Sequence, residues 1–200
     1  MTVPNHRLSF LRLLAAAAAL MTMVSATGAQ DLQLPDLMRL LATHKSARAT
    51  FVERKFIALL DKPVDSSGEL SFTAPDRLEK RTLSPKPESL VLEGDRLTIE
   101  TSGRKIAISL QSRPEAAAFV ESIRGTLAGD QGALEKFYSL ELSGSAEHWK
   151  LQLVPRQPEM LQVVNRIRFE GRQSAVSLIV FELADRDRSE MQITPVTAVR

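Results

Sequence analysis

Few side chains in this 200-residue chain can do chemistry. Histidine is the usual general base or metal ligand near neutral pH, and His44 and His148 are the candidates. His44 ends an apolar helical stripe. It reads as a helix C-terminal histidine meeting the last carbonyls. His148 stands between Glu147 and Trp149 and reads as the solvent side of a hairpin. Neither has a second histidine at metal-ligand spacing. Asp185 and Asp187 in "ADRDRSE" fit a charged hairpin tip, since a calcium loop needs more oxygens at regular spacing. Arg166/Arg168 and Arg186/Arg188 fall on polar faces that solvated strands commonly show, although they could also dock a partner. There is no nucleophile elbow, no phosphate-binding glycine loop and no zinc-protease helix motif. The chain has no cysteine, which removes disulfides, thiolate metal sites, a Cys nucleophile and a lipid-modified Cys. The expectation is therefore a protein that is not an enzyme, with no catalytic residue, no metal site and no cofactor.

The N-terminal stretch carries Arg7 and Arg12, then the apolar run "LLAAAAALMTMV", then the small residues "SATGAQ". That order predicts a secretory signal peptide over 1–29, cleaved after Ala29, with 30–200 as the mature domain. The run is short for a membrane anchor. Removing 1–29 takes two of the 26 basic residues and none of the 24 acidic ones, which leaves a formally neutral chain. A neutral chain argues against nucleic-acid binding. The expected compartment is the periplasm.

The elements that would position any site read as mainly β. "PDLMRLLATH" predicts a helix over 35–44, with Leu37, Leu40, Leu41 and His44 on one face. Alternating segments follow, separated by Gly and Pro turns. Leu70 and Phe72, then Leu90 and Leu92, Leu97 and Ile99, and Ile106 and Ile108 each mark one apolar face. The first strand is ambiguous in parity. Val52, Phe56 and Leu60 compete with Phe51, Ile57 and Leu59. Over 112–136 the period becomes helical. Ser112 and Glu115 are spaced as a capping box, Phe119, Ile123 and Leu127 form a stripe, and a short helical turn is predicted over 132–136. Strands then return. Trp149 and Leu151 mark one face, as do Val163, Ile167 and Phe169. The count is about eleven strands in an antiparallel meander, with one helix before them and a helical insertion after the sixth. So long a one-sided meander curls into an incomplete barrel with an apolar inner side. Its interior is either filled by side chains or open to a ligand.

In their order, "ATFVERK", "SSGELSFTAPDRLEK" and "SPKPESLVLEGDRLTIE" resemble the LolA family of periplasmic lipoprotein carriers. Phe51, Glu53, Gly68, Leu70, Phe72, Pro75, Pro85, Gly94 and Leu97 stand at its motif positions. The resemblance implies an incomplete barrel of eleven strands, lidded by helices, whose cavity shelters acyl chains. It also implies a carrier that takes an acylated lipoprotein or lipid from an inner-membrane exporter and passes it to an outer-membrane acceptor. With no lipobox cysteine, the soluble carrier is implied rather than its lipid-anchored receptor. The chain departs from the family at Ala74, where carriers often have an Arg that latches the lid, and at Glu53, where they have Gln. One Trp and one Tyr also make it poor in aromatics for such a carrier. These departures suggest a divergent branch, such as the carriers linked to aryl polyene lipids.

Three readings follow. The first is a monomeric carrier for acylated cargo, with no nucleic-acid partner. The second is a binding or assembly module with a packed interior. The third is a lipid-acting hydrolase or acyltransferase, which needs a Ser–His pair within hydrogen-bond reach. For the carrier, the expected inner lining is Phe51, Leu70, Phe72, Leu92, Leu97 and Ile99, then Trp149, Leu151, Val163, Ile167 and Phe169. Phe119, Ile123 and Leu127 form the inner surface of the lid.

Overall fold

A computed structural model describes residues 31–196. The predicted signal peptide lies outside the described residues. A short helix, α1 (Leu34–Leu41), comes first, followed by β1 (Ser46–Phe56), β2 (Val64–Thr73), β3 (Arg77–Ser84), β4 (Glu88–Glu93), β5 (Arg96–Thr101) and β6 (Arg104–Ser109). A 3-10 turn (Leu110–Ser112) then leads into the helices α2 (Pro114–Ala128) and α3 (Gln131–Glu135). The chain continues through β7 (Tyr138–Ser145), β8 (His148–Pro155), the short helix α4 (Pro158–Leu161), β9 (Val164–Arg172), β10 (Ala175–Leu183) and β11 (Arg188–Pro195). The eleven strands form one sheet in the order β6-β5-β4-β3-β2-β1-β11-β10-β9-β8-β7. Every pairing is antiparallel. The sheet is an incomplete barrel with β6 and β7 as its free edges.

Tight turns explain why the strands meander rather than cross over. Each strand pairs with its sequence neighbour except β6 and β7, which the helical insertion separates, and the last strand, β11, also pairs with the first, β1. At the β5–β6 turn, Ser102 and Gly103 both have positive φ (47 and 78°), which matches the twist of a two-residue hairpin.

The core lies between β7–β11 and the helices. Leu37, Met38 and Leu41 of α1 join Tyr138, Trp149, Leu151, Leu153, Ile167 and Phe169 of the sheet in one buried cluster. α1 stops at Leu41, so His44 lies beyond it, and its Nε2 is 2.7 Å from Ser174 Oγ. α2 ends at Gly129, whose φ is +68°. The Gly129 and Asp130 N–H groups donate to Thr126 and Gly125 carbonyls (3.1 and 2.8 Å), the paired bonds of a Schellman stop. A Cβ at Gly129 would stand 2.1 Å from the Met38 carbonyl oxygen, so glycine is what lets α2 end against α1. The Asp130 carboxylate then accepts from the Ala133 N–H and caps α3. Ser112 does not serve as the N-cap of the capping box expected at the start of α2. Arg113 is the N-cap, and the Ser112 hydroxyl donates to the Ser109 carbonyl because the chain is still in its 3-10 turn.

Candidate functional site

Strand register arranges the inner face of β1–β6 in rows. The first row runs Ala47, Phe72, Leu78, Leu92, Leu97, Ile108. The second runs Ala49, Leu70, Lys80, Leu90, Ile99, Ile106. The third is mostly polar: Phe51, Gly68, Thr82, Glu88, Thr101, Arg104. This half of the sheet is thus graded along its strands from apolar to polar. The apolar rows lie nearest the β4–β5 turn, and there α2 is fastened. Arg124 of α2 donates to the Gly94 carbonyl at 3.1 Å and is paired along the helix with Glu121. The polar row faces the opposite rim, away from that fastening.

The two halves of the inner face differ in cover. On β7–β11, Leu151, Leu153, Ile167 and Phe169 are all 0 % exposed and Trp149 is equally enclosed. On β2–β6, only Phe72, Leu92 and Thr82 are buried among the row residues with side chains. Leu70, Leu78, Leu90, Leu97, Ile99 and Ile108 are half-buried, and Ile106 is 55 % exposed. The first half is closed core, and the second is an apolar surface with room over it.

Where the third row ends, β1 turns a carboxylate inward. Glu53 is buried, with its side chain 5 % exposed. It accepts from Lys80 Nζ at 2.6 Å, Ser189 Oγ at 2.6 Å and Ser66 Oγ at 3.3 Å, and Lys55 Nζ stands 3.7 Å away. Burial pushes the Glu53 carboxyl up. The Lys80 ammonium and hydrogen bond, the Ser189 hydroxyl and Lys55 outweigh it and hold Glu53 below the usual carboxylate range. Lys80 Nζ also lies over the Phe51 ring, 4.9 Å from its centroid.

The lid helix meets the sheet by two surfaces. Phe119 stacks on Phe181 with centroids 4.8 Å apart, and Ile123 and Leu127 pack against the same core. These three are only half-buried. The most enclosed positions of α2 are instead the small residues Ala118, Ser122 and Thr126. They admit Tyr138, whose hydroxyl donates to the Ala118 carbonyl at 2.9 Å. Burial raises the Tyr138 pKa to about 12.

Two clefts border this region. One, of about 510 Å³, lies beside the lid between Pro75, Asp76, Arg124, Ala128 and Lys136. The other, of about 460 Å³, lies between Leu32, Leu34 and the β7 residues Leu140 and Leu142. Both have mixed polar and apolar walls.

The lining expected from sequence divides accordingly. Phe51, Leu70, Phe72, Leu92, Leu97 and Ile99 come together on the inner face of β1–β5. Trp149, Leu151, Ile167 and Phe169 come together in the closed core. Val163 joins neither group and is 45 % exposed. Its N–H returns to the Met160 carbonyl at the end of α4, so the strand starts one residue later, at Val164, which is buried. A bulge around Asn165 then restores the alternation at Ile167. Lys80, Leu78, Leu90, Ile106 and Ile108 were missed as site residues. The alternation of "RLEKRT" with the known parity of Leu78 would have turned Lys80 inward. The parity of β1 is resolved in favour of Phe51. Val52 and Phe56 face outward, and Ile57, Leu59 and Leu60 are in the β1–β2 loop.

His44 and Ser174 form a Ser–His pair, but on an exposed turn, and neither lines the two clefts. Among the described residues no acid bonds the other His44 nitrogen. The contact fastens the segment after α1 to the β9–β10 turn. Arg166 is held by Glu182 and Gln152 across neighbouring strands, and Arg168 by Glu170, so neither is a free cation. Asp187 accepts from the Ala58 N–H at 2.8 Å, which ties the β10–β11 turn to the β1–β2 loop.

The family model for outer membrane lipoprotein carrier proteins, LolA-like, matches residues 26–194. The chain belongs to this LolA-like family. No curated protein matches it in sequence. Among solved structures it is similar to a LolA superfamily protein from Nitrosomonas europaea, at 9 % identity and TM-score 0.47, covering 84 % of this chain and 96 % of that one. It is also similar to a putative outer membrane lipoprotein-sorting protein domain from Vibrio parahaemolyticus, at 10 % identity and TM-score 0.41, covering 84 % and 92 %. A third similar structure is the MucA/MucB complex of Pseudomonas aeruginosa, at 16 % identity and TM-score 0.46, covering 84 % and 58 %. LolA-like membership matches the eleven-stranded incomplete barrel with its helices on the inner side. It is a family of binding and carrier proteins rather than of enzymes.

Proposed function

We propose that this LolA-like protein is a soluble periplasmic carrier that shelters the acyl chains of a lipoprotein or lipid. It takes its cargo from an inner-membrane exporter and delivers it towards an outer-membrane acceptor. In this reading residues 1–29 are the signal peptide and 30–200 the carrier domain. One observation carries the proposal: Leu70, Leu78, Leu90, Leu97, Ile99 and Ile108 of the two apolar rows stay only half-buried beside the fastened lid, while Leu151, Leu153, Ile167 and Phe169 on β8 and β9 are fully packed. A folded protein gains little from an open apolar surface of this kind unless something covers it. Each sheltered methylene is worth about 0.8 kcal/mol, so ten contribute about 8 kcal/mol before the cost of ordering the chain. No helix among the described residues is long and apolar enough to cross a membrane.

The lining expected from sequence enters this proposal unequally. Leu70, Leu97 and Ile99 are the walls against which cargo lies, with Phe72 and Leu92 below them. Phe119, Ile123 and Leu127 overhang from the lid. Trp149, Leu151, Ile167 and Phe169 support the wall from the closed core. The test is extraction of protein purified from its native periplasm, followed by mass spectrometry of the organic phase. An acyl-bearing species in stoichiometric amount is expected. Protein that carries no such species, and takes up none when mixed with acyl chains, would make it a non-transporting binding or assembly module.

A further inference from the structure

Lys80 stands where the apolar rows meet the polar one. Its inward neighbours across the sheet are Leu70 on β2 and Leu90 on β4. Its side chain is 21 % exposed, and Phe51 covers one side of the ammonium. An ammonium carries three N–H donors. Among the described residues, the hydrogen bond that Lys80 makes is to Glu53. Glu53 itself accepts from Lys80, Ser66 and Ser189, so its oxygens are occupied. What remains at this point of the wall is donor capacity, held in place by a buried anion and an aromatic face. A chain lying along the first two rows brings its polar end to this level.

We infer that Lys80 receives the carbonyl oxygen of the cargo's acyl linkage, an ester or an amide, while the chain beyond it lies along the rows of Leu78–Leu92–Leu97 and Leu90–Ile99. This assignment rests on the acyl-carrier reading. A neutral carbonyl takes the spare donors without disturbing the Lys80–Glu53 pair. A carboxylate on the same nitrogen would sit beside the Glu53 carboxylate and be repelled by it. The site therefore favours a linked acyl group over a free fatty acid, and it fixes how deep the chain enters.

The experiment uses a neutral, environment-sensitive naphthylamine probe bound to the whole protein, displaced by three competitors of equal chain length: methyl hexadecanoate, hexadecyl methyl ether and hexadecanoate. The wild type is expected to bind the ester about tenfold more tightly than the ether, as a hydrogen bond to a charged donor implies. Lys80→Met should abolish that preference, so that the variant binds ester and ether alike. Because Lys80→Met leaves Glu53 without its cation, Lys80→Met with Glu53→Gln is measured beside it, with circular dichroism to confirm folding. Equal binding of ester and ether by the wild type overturns the assignment. So does an ester preference that survives in the folded double variant. Tighter binding of hexadecanoate than of the ester overturns the choice of a neutral carbonyl. Failure to bind any of the three overturns the acyl-carrier reading itself, a result distinct from the others.

Discussion

Arg124 of α2 donates to the carbonyl oxygen of Gly94 in the β4–β5 turn, 3.1 Å away, and so ties the lid to the rim of the sheet. The LolA resemblance places a latching Arg on the sheet, before the turn proline, where this chain has Ala74. Here the cation comes from the helix and the acceptor from the sheet. Ala74 is therefore a poor guide to how readily the lid opens. Arg124→Ala should lower hydrogen-exchange protection across 114–128 while leaving β7–β11 protected, with a global cost of about 1 kcal/mol. Unchanged exchange in the helix would show that Arg124 does not hold the lid. Ala74→Arg, which offers a second tie from the sheet, should raise that protection.

Glu53 gives the fold a sensitivity to acid. Its pKa is lower folded than unfolded, so its stabilisation is fully present above its ordinary value of 4.5 and is lost as pH falls below it. At neutral pH, Glu53→Gln should cost about 2 kcal/mol, less than breaking a fully buried pair, because Lys80 keeps some solvent contact. The variant should also lose stability less steeply than wild type below pH 4.5. Urea unfolding of both proteins on either side of that pH makes the comparison. Identical slopes would mean that Glu53 does not titrate as its surroundings require.

Gly171 lies opposite Trp149 on β8, and a Cβ there would stand 2.2 Å from the indole ring. Trp149 is enclosed, and its Nε1–H donates to the Gln173 carbonyl at 2.8 Å. It is also the only tryptophan of the chain, so its emission reports this one place. Gly171→Ala should shift that emission to longer wavelength and destabilise the fold by about 2 kcal/mol, the usual scale for forcing extra volume into a packed core. An unshifted spectrum with unchanged stability would contradict the packing described.

Ser174 should not behave as a nucleophile, despite its 2.7 Å contact with His44. The pair is exposed and no acid orients the imidazole among the described residues, so nothing there activates the hydroxyl. A fluorophosphonate probe should leave the protein unlabelled, and Ser174→Ala should leave acyl-probe binding unchanged. Covalent labelling at Ser174 would restore the hydrolase reading.

Alternation made much of this fold legible. Leu90/Leu92 and Leu97/Ile99 each mark one face over only a few residues, and the turns between them are Gly-rich, so strand count and inner face follow. The position of the helical insertion was equally plain from the change of period at 112. Cover was not legible. Leu97 and Leu151 have the same local pattern, yet one is half-buried and the other fully packed, because helices lie across β7–β11 and leave the β2–β6 rows partly open. Val163 misled because the one-turn helix Pro158–Leu161 delays the strand to Val164, and the bulge at Asn165 changes the alternation before Ile167. On α2 the large apolar stripe points to a buried face, whereas Ala118, Ser122 and Thr126 are deepest, since small side chains admit Tyr138. Lys80 was read past because a lysine in a strand is normally outward. Strand alternation from Leu78 puts it on the inner face, and the buried Glu53 of β1 pairs with its ammonium there.

If this protein is an acyl carrier, the inner face of β2–β6 holds the chain. Titration of a fluorescent fatty-acyl probe into wild type and Leu97→Glu, with circular dichroism on both, tests it most directly. Leu97 is half-buried in the first apolar row between Leu92 and Ile108, so a carboxylate there faces the space over the sheet and leaves the closed core untouched. Wild type should bind saturably and the folded variant at least about tenfold more weakly, because the new carboxylate must be desolvated or protonated when a chain enters. Equal binding by the two proteins, or no binding by wild type, would contradict the acyl-carrier reading.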